Sequence, residues 1–167
     1  MTMTETGKDG LKTVSLLVEN KPGVLFRVVS HFKRRNYNIE SIAVGPTEDK
    51  TVSRIVITMV ADRRSMNSFV RLLRRTIDVL EVKTVEEDEV VARELALVKI
   101  SARDRDAREQ AIAYAKSRGA KVAEVTETTV VLEVSDTFER VEDFINSASG
   151  FNVSGISRTG VTVIEKQ

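Results

Sequence analysis

The sequence predicts an α+β chain of two consecutive ferredoxin-like βαββαβ units. Three observations lead there. Short apolar runs with strand-like patterning alternate with stretches whose apolar residues recur at helical spacing. The order strand, helix, strand, strand, helix, strand occurs twice over similar lengths, and two helices on one face of an antiparallel sheet is the arrangement that order builds. The acidic stretch Glu86-Glu87-Asp88-Glu89 separates the two runs, and it reads as a solvated linker rather than a cation site. The expected organisation is therefore a flexible polar tail over residues 1–10, a first unit over 11–85, a linker over 86–91 and a second unit over 92–167. No sequence repeat relates the halves.

In the first half, Leu11–Glu19 is a predicted strand and Pro22–Asn36 a helix, with Lys33, Arg34 and Arg35 at the end of the dipole that favours cations. Tyr37–Val44 is a predicted strand ended by Gly45-Pro46. Thr51–Val60 is a buried strand in which Ile55, Ile57 and Met59 share a face. Asp62 caps a helix whose apolar stripe is Met66, Phe69, Val70, Leu73 and Ile77, and Val79–Val85 closes the unit. In the second half, Glu94–Ser101 is a strand and Asp104–Arg118 a helix with Ala107, Ala111, Ile112 and Ala115 inward, closed by Gly119. Lys121–Thr126 and Thr129–Val134 form a hairpin. Asp136 or Thr137 caps a helix bearing Phe138, Val141, Phe144 and Ile145, and Phe151–Ser157 and Val161–Glu165 complete the order.

Composition narrows the function. The chain has 167 residues, is 41% hydrophobic, and balances 26 Lys and Arg against 25 Asp and Glu, so no global basic excess argues for nucleic acid. It contains no Cys and one His, which removes disulfide frameworks, thiolate metal sites and multi-histidine cages. No apolar run approaches the ~20 residues of a membrane span, and Met1 to Gly10 lacks the apolar core of a secretory signal. A cytoplasmic protein is expected. The chain has no glycine-rich phosphate loop and no dinucleotide fingerprint. His31 lies at the border of the first helix's apolar face, with no nucleophile or carboxylate pair near it in sequence. Arg63, Arg64, Arg71, Arg74 and Arg75 make a local basic surface on the second helix, read as a solvated face or as a site for phosphate or an acidic partner. The RNA-binding form of this fold shows aromatics on its central strands, where Ile55, Ile57 and Met59 stand here. No catalytic, metal-binding or cofactor-binding set emerges.

The informative stretch is Glu19-Asn20-Lys21-Pro22-Gly23-Val24-Leu25. Pro22-Gly23 stops a strand and opens a helix, and Gly23 bares the backbone next to the helix start. The free amides and the dipole there favour an anion, for which a carboxylate is the natural guest. The first helix carries the chain to the far end of the sheet, so Gly23 and Asn38 of one chain lie far apart. They meet only if a second copy pairs antiparallel through the Tyr37–Val44 edge, which would otherwise be exposed.

The same stretch, from Leu17 to Leu25, resembles the ligand loop of ACT domains, small modules that sense amino acids. Arg35-Asn36-Tyr37-Asn38-Ile39-Glu40-Ser41-Ile42, Val44-Gly45-Pro46-Thr47-Glu48-Asp49, Ser53-Arg54, Ile77-Asp78-Val79-Leu80 and Arg93-Glu94-Leu95-Ala96-Leu97-Val98-Lys99-Ile100 extend the match. Together they resemble the small regulatory subunit of acetolactate synthase (acetohydroxyacid synthase) over essentially the whole chain, with weaker motifs after residue 101. The resemblance implies that the first unit is an ACT domain and that the chain carries no active site. It implies activation of a separate catalytic subunit that uses thiamine diphosphate, a divalent metal (Mg) and usually a flavin (FAD). It also implies feedback inhibition by valine in branched-chain amino-acid synthesis. The family's effector contacts fall on Asn20, Gly23, Val24, Leu25, Asn38 and Ile39. The rival expectations are a free-standing ACT sensor acting on another enzyme or a transcriptional partner, and an enzyme with an unrecognised site.

Overall fold

The computed structural model describes residues 10–86 and 88–166. The expected flexible tail over residues 1–10 lies, except for Gly10, outside the described residues, as does Glu87 of the acidic stretch. Two compact units are present, residues 10–91 with 163–166, and Ala92–Thr162.

The first unit runs β1 (Gly10–Glu19), α1 (Val24–Arg34), β2 (Ser41–Pro46), β3 (Val52–Ala61), α2 (Arg63–Leu73) and β4 (Val79–Thr84). Its antiparallel sheet has the order β2-β3-β1-β4, which leaves β2 and β4 at the edges. Period-two alternation puts Val14, Leu16 and Val18 of β1 on the same face as Ile55, Ile57 and Met59 of β3. That face is closed by Val24, Val28 and Phe32 of α1 and by Met66, Phe69 and Leu73 of α2, all buried. The Phe32 and Phe69 rings meet edge to face at 4.4 Å between centroids, which locks the two helices together.

Caps set the helix limits. The Asp62 carboxylate accepts from the amides of Arg64 and Ser65 at the start of α2, as its sequence position predicts. At the other end of α1, Asn36 takes φ 55°, the Tyr37 amide donates to the Phe32 carbonyl at 3.0 Å, and the Asn36 amide to the Lys33 carbonyl at 3.1 Å. These two bonds form a Schellman closure, which overrides the strand predicted from Tyr37. The Tyr37 ring packs edge-on against Phe69, and pairing with β3 starts only at Ser41. The edge predicted over Tyr37–Val44 is thus Ser41–Pro46. Ile77 also departs from expectation. α2 ends at Leu73, Arg75 and Thr76 bond back to Leu72 and Leu73, and Ile77 is 79% exposed.

The second unit contains most of β5 (Val90–Ser101), then α3 (Arg105–Ser117), β6 (Lys121–Val125), β7 (Thr129–Asp136), α4 (Phe138–Ser147), a 3-10 turn at Ala148–Gly150 and β8 (Val153–Arg158). The sheet order β6-β7-β5-β8 repeats that of the first unit, with β9 (Thr162–Glu165) paired to β5. β5 starts at Val90, inside the stretch read as linker, because Val90 is buried. Residues 163–166 group with the first unit rather than the second. Val163 is buried, Lys83 bonds the Glu165 carboxylate at 2.8 Å, and the Lys166 amide donates to the Glu89 carbonyl at 2.9 Å.

Glu94 is fully buried in the second unit, and Arg158 meets both of its oxygens, at 2.9 Å and 2.7 Å. Arg158 also reaches Glu142 at 2.6 Å, so the buried carboxylate is matched and held in place. We expect Arg158→Met to strand that charge and lower stability by about 3–5 kcal/mol in urea unfolding. Arg158→Met combined with Glu94→Leu should recover most of the loss; equal damage in the single and double variants would show that packing, not charge, dominates there.

Candidate functional site

β1 ends at Glu19, whose amide bonds the Asp78 carbonyl at 2.9 Å. Lys21-Pro22-Gly23-Val24 then forms a turn closed by the Val24 amide on the Lys21 carbonyl at 3.4 Å. Gly23 sits at its third position with φ 84° and ψ −10°, the values a type II turn requires there. Proline before and glycine at that position are the residues the turn demands. The turn delivers the chain straight into α1, with the Gly23 carbonyl accepting from Arg27 at 3.1 Å.

The start of α1 differs from the other three α-helices. Asp62, Asp104 and Thr137 cap α2, α3 and α4 with side-chain oxygens, whereas the Gly23 position of α1 has no side-chain cap. An α-helix leaves its first amides without internal acceptors, so those of Leu25 and Phe26 remain as donors at the positive end of the dipole. No acid stands in the first turn of α1. Leu25 and Phe26 themselves are 42% and 76% exposed, two large apolar side chains beside open N–H groups. The arrangement suits a small molecule with a carboxylate at one end and an aliphatic group at the other.

The residues expected in the site fall into three groups. Gly23 and Leu25 lie at the open helix start. Val24 is 2% exposed and its side chain belongs to the core, so it offers the site only its backbone. Asn20 turns its side-chain amide to the Lys50 carbonyl at 2.9 Å, and its own N–H to Thr51 at 2.7 Å. These bonds tie the loop to the β2–β3 hairpin and leave Oδ1 as the remaining acceptor. Asn38 and Ile39 follow the other end of α1. Eleven residues separate the two ends, roughly 16 Å at ~1.5 Å per residue. Asn38 is exposed and bonded to Glu40 at 2.7 Å, and Ile39 packs against the first core. One chain therefore does not bring all six residues together.

Sequence reasoning did not single out Arg27 or Phe26. Arg27 forms an ion pair with Asp78, a residue in the left-handed region at φ 69°, which fixes the first turn of α1 to the start of β4. Phe26 was detectable as a large apolar residue off the Val24, Val28, Phe32 stripe. His31, the one histidine, hydrogen-bonds Thr76 Oγ1 at 2.9 Å, a structural role between α1 and the end of α2. A cavity of about 410 Å³ in the same unit lies against the opposite sheet face, beside Ser15, Arg54 and Lys83. Lys83 is paired there with Glu81 and Glu165, and Arg54 donates to Ser15. Among the described residues no cluster suits a metal ion, and no helix is long and apolar enough to cross a membrane.

Comparisons with known proteins bear on the family and the fold. Residues 14–81 match the AHAS small subunit-like ACT domain, and residues 93–167 match the small subunit of acetolactate synthase. The acetolactate synthase small subunit of Mycolicibacterium smegmatis is 37% identical over 154 residues, covering 92% of this chain and 90% of that protein. The probable small subunit of Methanothermobacter thermautotrophicus is 33% identical over 153 residues, covering 92% and 91%. The crystal structure of the acetolactate synthase small subunit from Thermotoga maritima superposes with a TM-score of 0.83 at 30% identity, over 95% of this chain and 98% of that one.

Two outcomes follow from the site's local physics. A side chain at Gly23 meets open space, its nearest neighbour being Arg27 Nη1 at 3.9 Å, so any penalty comes from the positive φ. We expect Gly23→Ala to lower stability by about 1–2 kcal/mol in denaturant unfolding; no change would mean that the turn relaxes. Burial, then Arg34 and Arg35, holds the His31 imidazole below its ordinary value. A depressed pKa gives stability that is present above the unfolded value of about 6.5 and lost as pH falls through the folded one. Wild type should therefore gain stability between about pH 5 and 7. His31→Gln should flatten that limb, and an unchanged limb would assign it to other groups.

Proposed function

The chain belongs to the acetolactate synthase small-subunit family, a family of regulatory rather than catalytic chains, and on that premise we propose that it activates a catalytic subunit and makes it sensitive to valine. The observation that carries the reading is the uncapped start of α1 behind Gly23, with Asn38 a full helix length away. The catalytic partner holds thiamine diphosphate, Mg and FAD and performs the chemistry; this chain holds none of them. The first unit acts as an ACT domain over residues 11–85.

Two copies pair antiparallel through the β2 edge, Ser41–Pro46. This extends each sheet and covers an edge that proteins rarely leave bare. The two-fold axis brings Asn38 and Ile39 of one copy to Gly23 and Leu25 of the other, twice over. Valine sets its carboxylate on the Leu25 and Phe26 amides. Its ammonium meets the partner copy's Asn38 side-chain oxygen or a backbone carbonyl, and its isopropyl group lies against Leu25 and Ile39. Charge-assisted hydrogen bonds contribute about 1.5–3 kcal/mol each. Burying the aliphatic group contributes about 1.5–3 kcal/mol. Immobilising the ligand opposes them by at least ~4 kcal/mol. The balance corresponds to micromolar to millimolar affinity, suited to sensing a metabolite pool.

The deciding experiment is acetolactate formation by the cognate catalytic subunit, with and without this chain and with valine. Activation that valine reverses is expected. Gly23→Asp places a carboxylate where the ligand's belongs, so it should abolish valine inhibition while activation persists. Valine inhibition equal to wild type would remove Gly23 from the site, and no activation by the wild-type chain would overturn the regulatory reading. Sedimentation should give a dimer at micromolar concentration with valine; a monomer would refute the shared site.

A further inference from the structure

Charge is segregated in the first unit far beyond what the balanced composition requires. The helix layer, residues 20–39 and 63–77, carries Lys21, Arg27, Lys33, Arg34, Arg35, Arg63, Arg64, Arg71, Arg74 and Arg75. It carries no Asp or Glu, although the chain holds 25 acids against 26 bases. The second unit's helices differ, since α3 and α4 intersperse both signs and carry Asp106 and Glu139 in their first turns. Eight of the ten cations are exposed and form no ion pair among the described residues; only Lys21 and Arg27 are so paired, with Glu19 and Asp78.

Helix electrostatics explains part of this layer and not the rest. Lys33, Arg34, Arg35, Arg71, Arg74 and Arg75 lie at or just beyond the C-terminal turns, where the dipole favours cations. Arg63 and Arg64 open α2, the end where a cation is disfavoured, and only the Asp62 cap offsets them. No acid among the described residues pairs with these eight cations, which leaves them open to a partner of opposite sign.

We infer that the α1–α2 layer is the surface on which the catalytic subunit docks, through an acidic face of that subunit. The inference rests on the regulatory reading above and names the contact it requires. Charge complementarity selects the partner's chemistry. Antiparallel pairing through β2 places the two-fold axis perpendicular to the sheet, so both helix layers face the same way and the dimer offers one doubled basic surface. The layer is continuous with the effector site, because α1 begins at Gly23 and ends at Lys33 and Arg34. An effector held at one end of α1 therefore bears on the helix that makes the contact. Nucleic acid fits less well, since the sheet face away from the helices carries Thr13, Ser15 and Leu17 of β1 and Arg54, Val56 and Thr58 of β3, with no aromatic platform.

The test uses the full chain carrying Arg63→Glu, Arg64→Glu and Arg71→Glu. Acids in the first turn favour the helix, so the fold is retained, and unchanged valine binding by calorimetry verifies it. Wild type should associate with the catalytic subunit at a rate that falls steeply as salt rises and the screening length contracts from about 30 Å at 0.01 M to 3 Å at 1 M. The variant should associate at least about tenfold more slowly at low salt and lose activation, with little salt dependence left. Equal association and activation by the variant, against a wild type that does activate, would overturn the docking surface and leave the regulatory reading intact. Failure of wild type itself to bind or activate would overturn both. Salt-dependent binding of a single-stranded RNA probe that the variant loses, with catalytic-subunit binding unaltered, would assign the layer to nucleic acid and overturn the proposal.

Discussion

The first unit depends on one backbone constraint, the left-handed conformation of Gly23 at φ 84°. Pro22 and Gly23 together fold a type II turn that puts no side chain at the cap position, so β1 passes into α1 without a capping oxygen. A helix start capped from within, as by Asp62 in α2, has already satisfied its amides. The start of α1 has no side-chain cap to satisfy them. Position and chemistry thus come from the same two residues. Asn20, held to Lys50 and Thr51, and Arg27, held to Asp78, keep the turn from relaxing around its open donors.

The length of α1 does the rest. A helix short enough to pack under one sheet is still too long for both of its ends to touch one small molecule. A site that needs both ends takes them from two chains. In the proposed dimer, ligand binding and chain pairing would share one equilibrium, each strengthening the other by the same factor. In the proposal the basic layer on α1 and α2 adds the outward link, because the helix whose amides would meet the effector also carries part of the exposed charge.

Much of this is legible in the sequence, for local reasons. The buried alternation of β1 and β3, the caps of α2 and α3 and the Gly119 closure are written in single residues whose preference and role agree. Gly23 belongs to the same class. Where tertiary geometry competes, the local reading gives way. Tyr37 has strand propensity, yet Asn36 takes φ 55° and the Tyr37 ring is claimed by Phe69. Val24 is expected in the effector site by resemblance, but its side chain belongs to the core. Val90 and Val163 are ordinary apolar residues in sequence, and only the folded chain shows both buried and grouped within the first unit. The Arg158–Glu94 pair joins residues 64 positions apart, a separation no local pattern encodes.

The central claim is that one effector site is built from Gly23 of one copy and Asn38 of another. The most direct measurement is valine binding, by calorimetry, to Gly23→Asp chains, to Asn38→Ala chains, and to the two mixed and refolded together. Neither variant alone should bind at wild-type affinity, since every site in each homodimer carries a lesion. In the mixture, a heterodimer gathers both lesions in one site and leaves the other intact. Statistical mixing should then restore roughly a quarter of the wild-type stoichiometry. A mixture that binds no more valine than the separate variants would contradict a site shared between chains.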